Sequence, residues 1–292
     1  MLSTVTLPDG RTLEYADLGD PAGSPVLFLH GTPGTAGQGA VIAEAARTYG
    51  VRLVAISRPG YGDSTTSAPG LASVAADAVE LADQLGLPRF LAMGGSGGGP
   101  YALAVGAQAP DRVTSVAVLG GLADSSEVNP DDLDEDDRHA VELLAAGDVT
   151  GASAVLTGWS EANFGAMRDL TADEFHEELQ RTRPPGENWF EGHPDLLPLF
   201  EADFQRAITT FDGFVRDNLS WLGAWDVDLT AVSAPVRLVY GEHDQMVPPA
   251  HGEWLHQRLP TSELHVVPGG HGHATFGAAM ETFASLSEKP SS

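Results

Sequence analysis

Apolar residues along this chain gather into short, nearly unbroken runs separated by glycine- and proline-marked breaks. Val26-Leu27-Phe28-Leu29, Leu53-Val54-Ala55-Ile56, Phe90-Leu91-Ala92-Met93 and Val113 to Leu119 are the clearest. A strand with one wet face alternates apolar and polar residues, whereas a strand covered on both faces has no reason to. These runs therefore predict a mostly parallel sheet flanked by helices, an α/β architecture. Helical spacing between them predicts helices at about 38–48, 71–86 and 97–109. The second of these is closed by Gly86-Leu87-Pro88, a glycine and then a proline that stop a helix. Thr4 to Leu7 and Arg11 to Leu18, joined through Pro8-Asp9-Gly10, read as an antiparallel hairpin.

The texture changes near residue 122. From 122 to 230 no strand run is visible and helix signals dominate. Thr171-Ala172-Asp173-Glu174 has the spacing of a capping box, and eleven of the sixteen Phe and Trp residues fall here, among them Trp159, Trp189, Trp221 and Trp225. The β/α pattern resumes with Val236 to Tyr240, a helix near 249–258, Leu264 to Val267 and a helix near 274–286. The expected organisation is an α/β core in two parts, 1–121 and 231–292, interrupted by an all-helical cap at 122–230; Pro290-Ser291-Ser292 reads as a frayed end.

Composition narrows the function classes. There is no cysteine, so disulfides, a thiol nucleophile and cysteine-ligated zinc are excluded. A formal net charge of −26 argues against nucleic acid and against anionic membrane surfaces. The segment 122–230 holds 25 Asp and Glu against 6 Arg, so most of the excess lies on the cap. Its densest run, Asp131 to Asp137, reads as the first turn of a helix capped by Asn129-Pro130, where acids suit the dipole, rather than as a metal site. The opening MLSTVTLPDG has neither the basic stretch nor the apolar run of a signal peptide, and no run of 18 apolar residues occurs. A soluble, cytoplasmic protein is the expectation.

Gly94-Gly95-Ser96-Gly97-Gly98 matches G-x-S-x-G between a predicted strand and the helical Pro100-Tyr101-Ala102-Leu103. A serine on such a turn is forced into a strained conformation, Gly94 and Gly98 relieve crowding beside it, and its hydroxyl projects from the carboxyl edge of the sheet. Ser96 is therefore the candidate nucleophile. Gly97-Gly98-Gly99-Pro100-Tyr101-Ala102 also fits a dinucleotide fingerprint formally, but no acidic residue follows at the required distance and the chain does not open with this unit.

His30-Gly31-Thr32-Pro33-Gly34 after one strand, Arg58-Pro59-Gly60-Tyr61-Gly62 after the next, and the Ser96 elbow together resemble the α/β-hydrolase superfamily over nearly the whole chain, with 122–230 in the place of its variable cap. The resemblance implies the order Ser, acid, His. Gly241-Glu242-His243-Asp244 resembles the family's acid loop and puts Asp244 at the acid position. Pro268-Gly269-Gly270-His271 matches its histidine loop and makes His271 the base, with His273 as the competitor. Asp124, another position where some members carry the acid, reads as the start of the cap. For the oxyanion the candidate donors are the N–H groups of Thr32 and Gly97, Pro33 having none. His30 and Gly31 read as supports of that loop, and Arg58 to Gly62 as its buttress.

Serine at the elbow argues against the dehalogenases and epoxide hydrolases of the superfamily, which use aspartate there. The expectation is a carboxylesterase acting on a small, neutral, apolar ester through an acyl-Ser96 intermediate, with no cofactor and no metal. The loop at His30 also resembles that of proline iminopeptidases, which usually carry G-G-S-W-G where this chain has Gly97. Perhydrolysis, lactone opening and carbon–carbon bond hydrolysis use the same triad, and a ligand receptor on the same fold is the non-enzymatic alternative.

Overall fold

The computed structural model describes residues 1–127, 133–184 and 186–287. The chain opens with β1 (Leu2–Thr6) and β2 (Thr12–Gly19), the expected hairpin, and continues through β3 (Ser24–Leu29), α1 (Ala43–Thr48), β4 (Val51–Ile56), α2 (Leu71–Gln84), β5 (Phe90–Gly95), α3 (Gly99–Gln108) and β6 (Val113–Leu119). Among the described residues five α-helices follow: α4 (Glu135–Ala145), α5 (Val149–Phe164), α6 (Ala172–Thr182), α7 (Leu197–Ala207) and α8 (Asp212–Leu222). The sheet then resumes with β7 (Val236–Gly241), α9 (Pro249–Arg258), β8 (Ser262–Val267) and α10 (Ala278–Ser287).

The strands form one sheet in the order β1-β2-β4-β3-β5-β6-β7-β8. β2 runs antiparallel to both its neighbours, and every pairing from β4 to β8 is parallel. After β3 the chain steps outward to β4 and then crosses back to β5 on the other side. The loops leaving β3 and β5 therefore diverge, and the crevice between them is where ligands of open α/β sheets bind.

The unbroken apolar runs are explained by two separate cores. Leu27, Leu29, Val54, Ile56, Val116 and Val118 face one layer with α2 and α3. Val26, Phe28, Leu53, Ala55, Met93 and Leu119 face the other, with α1 and α10. Successive side chains of each central strand thus bury on opposite sides, as the pleat requires.

The helical segment follows its sequence signals closely at α6, where Thr171 and Glu174 form the reciprocal capping box. At α4 there is a difference. Asn129 and Pro130, and with them the first residues of the acidic run, lie outside the described residues, as does the chain end at Pro290. The helix starts at Glu135, where the Asp134 carboxylate accepts from the Asp137 N–H. The acids of its first turn are Glu135, Asp136 and Asp137. The cap residue is thus one of the acids themselves, because an Asp side chain reaches the third amide as well as Asn does. Among the described residues no helix is long and apolar enough to cross a membrane.

Candidate active site

All the loops singled out in the sequence leave the same edge of the sheet, the carboxyl ends of the parallel strands. Ser96 follows β5 directly and opens the short turn Ser96–Gly98 that leads into α3. Its φ is +51°, the one non-glycine residue with positive φ among those described. That strain is the expected signature of a side chain thrust out of a strand-to-helix turn. The flanking glycines have no room for a side chain. A β-carbon on Gly94 would lie 2.1 Å from the Gly98 carbonyl oxygen, and one on Gly98 would lie 2.1 Å from that of Leu29.

Asp244 follows β7 and His271 follows β8. The His271 Nδ1–H donates to Asp244 Oδ2 at 2.7 Å. The other Asp244 oxygen accepts from the Met246 and Val247 N–H groups, each at 2.9 Å, and the side chain is fully buried. Three donors therefore fix the carboxylate, the carboxylate fixes the tautomer of His271, and Nε2 is left to accept a proton. The neighbouring acid and histidines are placed elsewhere. Glu242 and His243 are exposed, and His273 is half-buried with its ring against Gly269. Asp124 instead ties the start of the helical segment to its end, accepting from Ser126 N–H and from Trp225 N–H.

Ser96 and His271 line one cavity of about 490 Å³. On the sheet side its walls are Phe28, Ile42, Leu119, Thr275 and Phe276; on the helical side they are Trp159, Phe164, Phe200, Phe204 and Phe214. The aromatic residues of the helical segment pack on one another as they do so, Trp159 stacking on Phe214 at 5.4 Å and Phe164 meeting Phe204 edge-on at 5.7 Å. They serve both as the segment's own core and as the cavity wall. From the helical side Glu187 Oε2 accepts the Gly272 N–H at 3.0 Å, which steadies the loop carrying His271.

The Thr32 loop is held by a buried polar cluster of which the sequence showed only one half. Arg58 is fully buried and lies 2.6 Å from the equally buried Asp217 of α8. Its remaining donors reach the carbonyls of His30 and Gly31 and the Thr32 hydroxyl. Asp217 also accepts from Thr32 Oγ1 at 2.8 Å and from the Tyr101 hydroxyl at 2.7 Å. Burial opposes ionisation of Asp217, but the Arg58 guanidinium beside it prevails and holds the carboxyl below its usual range. His30 is neutral for the opposite reason: burial, reinforced by the Arg58 charge, pushes its pKa well down. Its Nδ1–H meets the Gly31 carbonyl at 2.6 Å, and its Nε2 accepts the Arg58 N–H at 3.2 Å. Arg58 thus donates to each of residues 30–32, while Asp217 gathers the Tyr101 hydroxyl and the rest of the guanidinium.

Trp221, on the same helix as Asp217, covers Gly97. A β-carbon at 97 would lie 2.8 Å from the indole and 2.7 Å from Thr32 Oγ1. Thr32 and Gly97, the two candidate oxyanion residues, are therefore side by side, and among the described residues the Thr32 N–H donates to no backbone carbonyl. Asp217 and Trp221 carried no local signal in the sequence. One is a single acid among many, and the other reads equally well as a packing aromatic.

Residues 24–277 match the α/β hydrolase fold family, and the chain belongs to it. It is 29% identical over 290 residues to the non-heme chloroperoxidase CPO-A1 of Kitasatospora aureofaciens, with 95% of each chain covered. It is 31% identical over 232 residues to the pimeloyl-[acyl-carrier protein] methyl ester esterase of Neisseria meningitidis, a match spanning 80% of this chain and 65% of that enzyme. Among solved structures, an α/β hydrolase fold protein from Nakamurella multipartita superposes with a TM-score of 0.66 at 22% identity, covering 98% of both chains.

Proposed function

We propose that the chain is a serine hydrolase that cleaves neutral, largely apolar carboxylic esters. The observation that carries the reading is the strained Ser96 sharing an apolar cavity with a His271 whose tautomer Asp244 has already set. Ser96 Oγ attacks the ester carbonyl while His271 Nε2 takes its proton. Charge developing on the carbonyl oxygen is met by the Thr32 and Gly97 N–H groups, a contribution of about 10²–10³-fold in rate for one donor. His271 then protonates the departing alcohol, and a water activated by the same imidazole releases the acid from Ser96.

The esterase among the relatives supports this chemistry, and the cavity wall supports the substrate class, since Trp159, Phe164, Phe204 and Phe214 offer apolar surface. The acid-rich helical segment disfavours anionic substrates by repulsion. A proline-iminopeptidase-like reading has less support, because position 97 is Gly where the motif of those enzymes usually has tryptophan, and a side chain there would run into Trp221 from α8.

The test is release of p-nitrophenol from acetyl to decanoyl esters by the native chain and by Ser96→Ala between pH 5 and 9. Activity that rises with pH from 5 and is absent from the variant is expected. A folded native chain with no turnover of any ester, or a variant as active as its parent, overturns the proposal.

A further inference from the structure

One polar group on the cavity wall has no task in the reaction just described. Gln38 lies on the helical turn Ala36–Ile42 that follows the Thr32 loop, is 5% exposed, and lines the cavity beside Ser96. Its Oε1 accepts the Gly31 N–H at 2.6 Å. That bond also fixes which way the amide points, because an N–H needs the carboxamide oxygen and not its nitrogen. The Nε2 end is consequently turned away from Gly31 N, and among the described residues it has no hydrogen-bond partner. The nitrogen is not one of the wholly buried side-chain atoms that lack a partner, so on a side chain that lines the cavity it keeps surface open to a ligand oxygen.

Gly31 shows how near this donor stands to the reacting centre. The point that a β-carbon on Gly31 would occupy is 3.5 Å from Ser96 Cβ and 3.6 Å from Gln38 Nε2. The donor is thus no more than about 7 Å from the Ser96 β-carbon. An ester carbonyl seated on Ser96 and a hydrogen bond of about 3 Å together use most of that span. What remains reaches an oxygen two or three bonds beyond the carbonyl carbon, and no further. Phe28 and Ile42, which line the sheet side with it, offer no donor of their own.

We propose that Gln38 Nε2 is a specificity-determining donor, and that the preferred substrates are apolar esters carrying a second carbonyl or ether oxygen close to the scissile carbonyl. This rests on Ser96 being the reacting group, and it sharpens the substrate class rather than the chemistry.

The probes that isolate the effect are two isomers, methyl 3-oxooctanoate and methyl 7-oxooctanoate, equal in size and polarity and different only in where the second oxygen sits. Their affinities are measured by titration calorimetry against full-length Ser96→Ala, in which neither is consumed. The 3-oxo isomer is expected to bind about fivefold to tenfold more tightly, and Ser96→Ala combined with Gln38→Met is expected to bring the ratio to about one. Loss of the Gly31 contact in that double variant lowers both affinities together, so the ratio separates a binding role from loop support. Equal affinities in Ser96→Ala, a ratio unmoved by Gln38→Met, or binding of neither isomer overturns the proposal. Turnover of the two oxo esters and of the p-nitrophenyl esters by the native chain reports separately on the hydrolase reading: if all of it is absent while the ratio behaves as described, the ester chemistry falls and the Gln38 site stands.

Discussion

Arg58 and Asp217 meet 2.6 Å apart with both side chains wholly buried, although 159 residues separate them in the chain. The pair links the loop after β4 to a helix that enters after the sheet has been interrupted, and both partners touch Thr32. Removing one partner strands a buried charge, which costs about 3–5 kcal/mol, whereas replacing both with apolar residues of similar volume is often nearly neutral. Arg58→Met and Asp217→Leu are each expected to destabilise the fold by that amount in urea unfolding. The double variant is expected to recover most of the loss in stability. It is not expected to recover ester turnover, because the Thr32 loop still lacks its anchors. Recovery of both together shows that the pair has no part in placing the Thr32 N–H.

Asp244→Asn tests the orientation of the imidazole without disturbing its surroundings. The asparagine oxygen can still accept from Met246 and Val247, but its NH₂ faces His271 and drives the proton to Nε2, the wrong tautomer to receive one from Ser96. A fall in kcat of about 10⁴-fold is expected, with the melting temperature little changed. A loss below tenfold puts the acid elsewhere.

Gly97→Ala places a methyl group where the Trp221 ring and Thr32 Oγ1 already are. Overpacking of this kind costs about 1–3 kcal/mol, and it also shifts the proposed oxyanion donor, so stability and kcat are both expected to fall. Combining it with Trp221→Leu relieves the contact with the ring but not that with Thr32 Oγ1, and is expected to restore part of the lost stability. No effect of the single variant on melting shows that the indole yields freely.

Asp203 gives the fold a pH dependence of the less usual sign. It sits on α7 and accepts from the Thr35 N–H at 3.0 Å and from the Thr35 hydroxyl. Burial outweighs these bonds and pushes its pKa up to about 7. In the unfolded chain the group ionises near 4, so between those values the folded state holds a proton that the unfolded state has released. Stability from this group is full below pH 4 and falls as pH rises towards 7, by roughly 3–4 kcal/mol in all. Asp203→Asn mimics the protonated form and is expected to flatten that slope and to exceed the native chain in stability at pH 8. An unchanged slope in urea unfolding at pH 5, 6, 7 and 8 refutes the assignment.

The parts of the site that were legible in the sequence are those whose chemistry is local. Ser96, Asp244 and His271 each follow an apolar strand and are ringed by glycines or turn residues, so both context and residue type are visible within a few positions. The sheet was legible because burial on both faces leaves runs that need no partner to be recognised. Asp217, Asp203 and Gln38 were not, for a common reason. Each is defined by what stands across from it in space, and an acid in a segment with 25 of them, or a glutamine in a glycine-rich loop, has no neighbour in sequence that marks it. Arg58 shows the boundary. It was read correctly as a buttress of the Thr32 loop, but the carboxylate that neutralises it could not be chosen from the chain alone.

The position of α8 has a consequence for how this protein could change over time. The helices from α4 to α7 supply most of the aromatic wall, whereas α8 supplies Asp217 and Trp221 to the loop and turn around the nucleophile. A recombination joint placed near residue 210 would exchange most of the wall, and Glu187 with it, while leaving Asp217 and Trp221 on the loop and turn they hold. A joint twelve or so residues later would carry the loop's counterion away with the wall. Inheritance of new substrate ranges by this chain is therefore channelled through the segment before α8, with the last helix of the insertion travelling as part of the core it crosses.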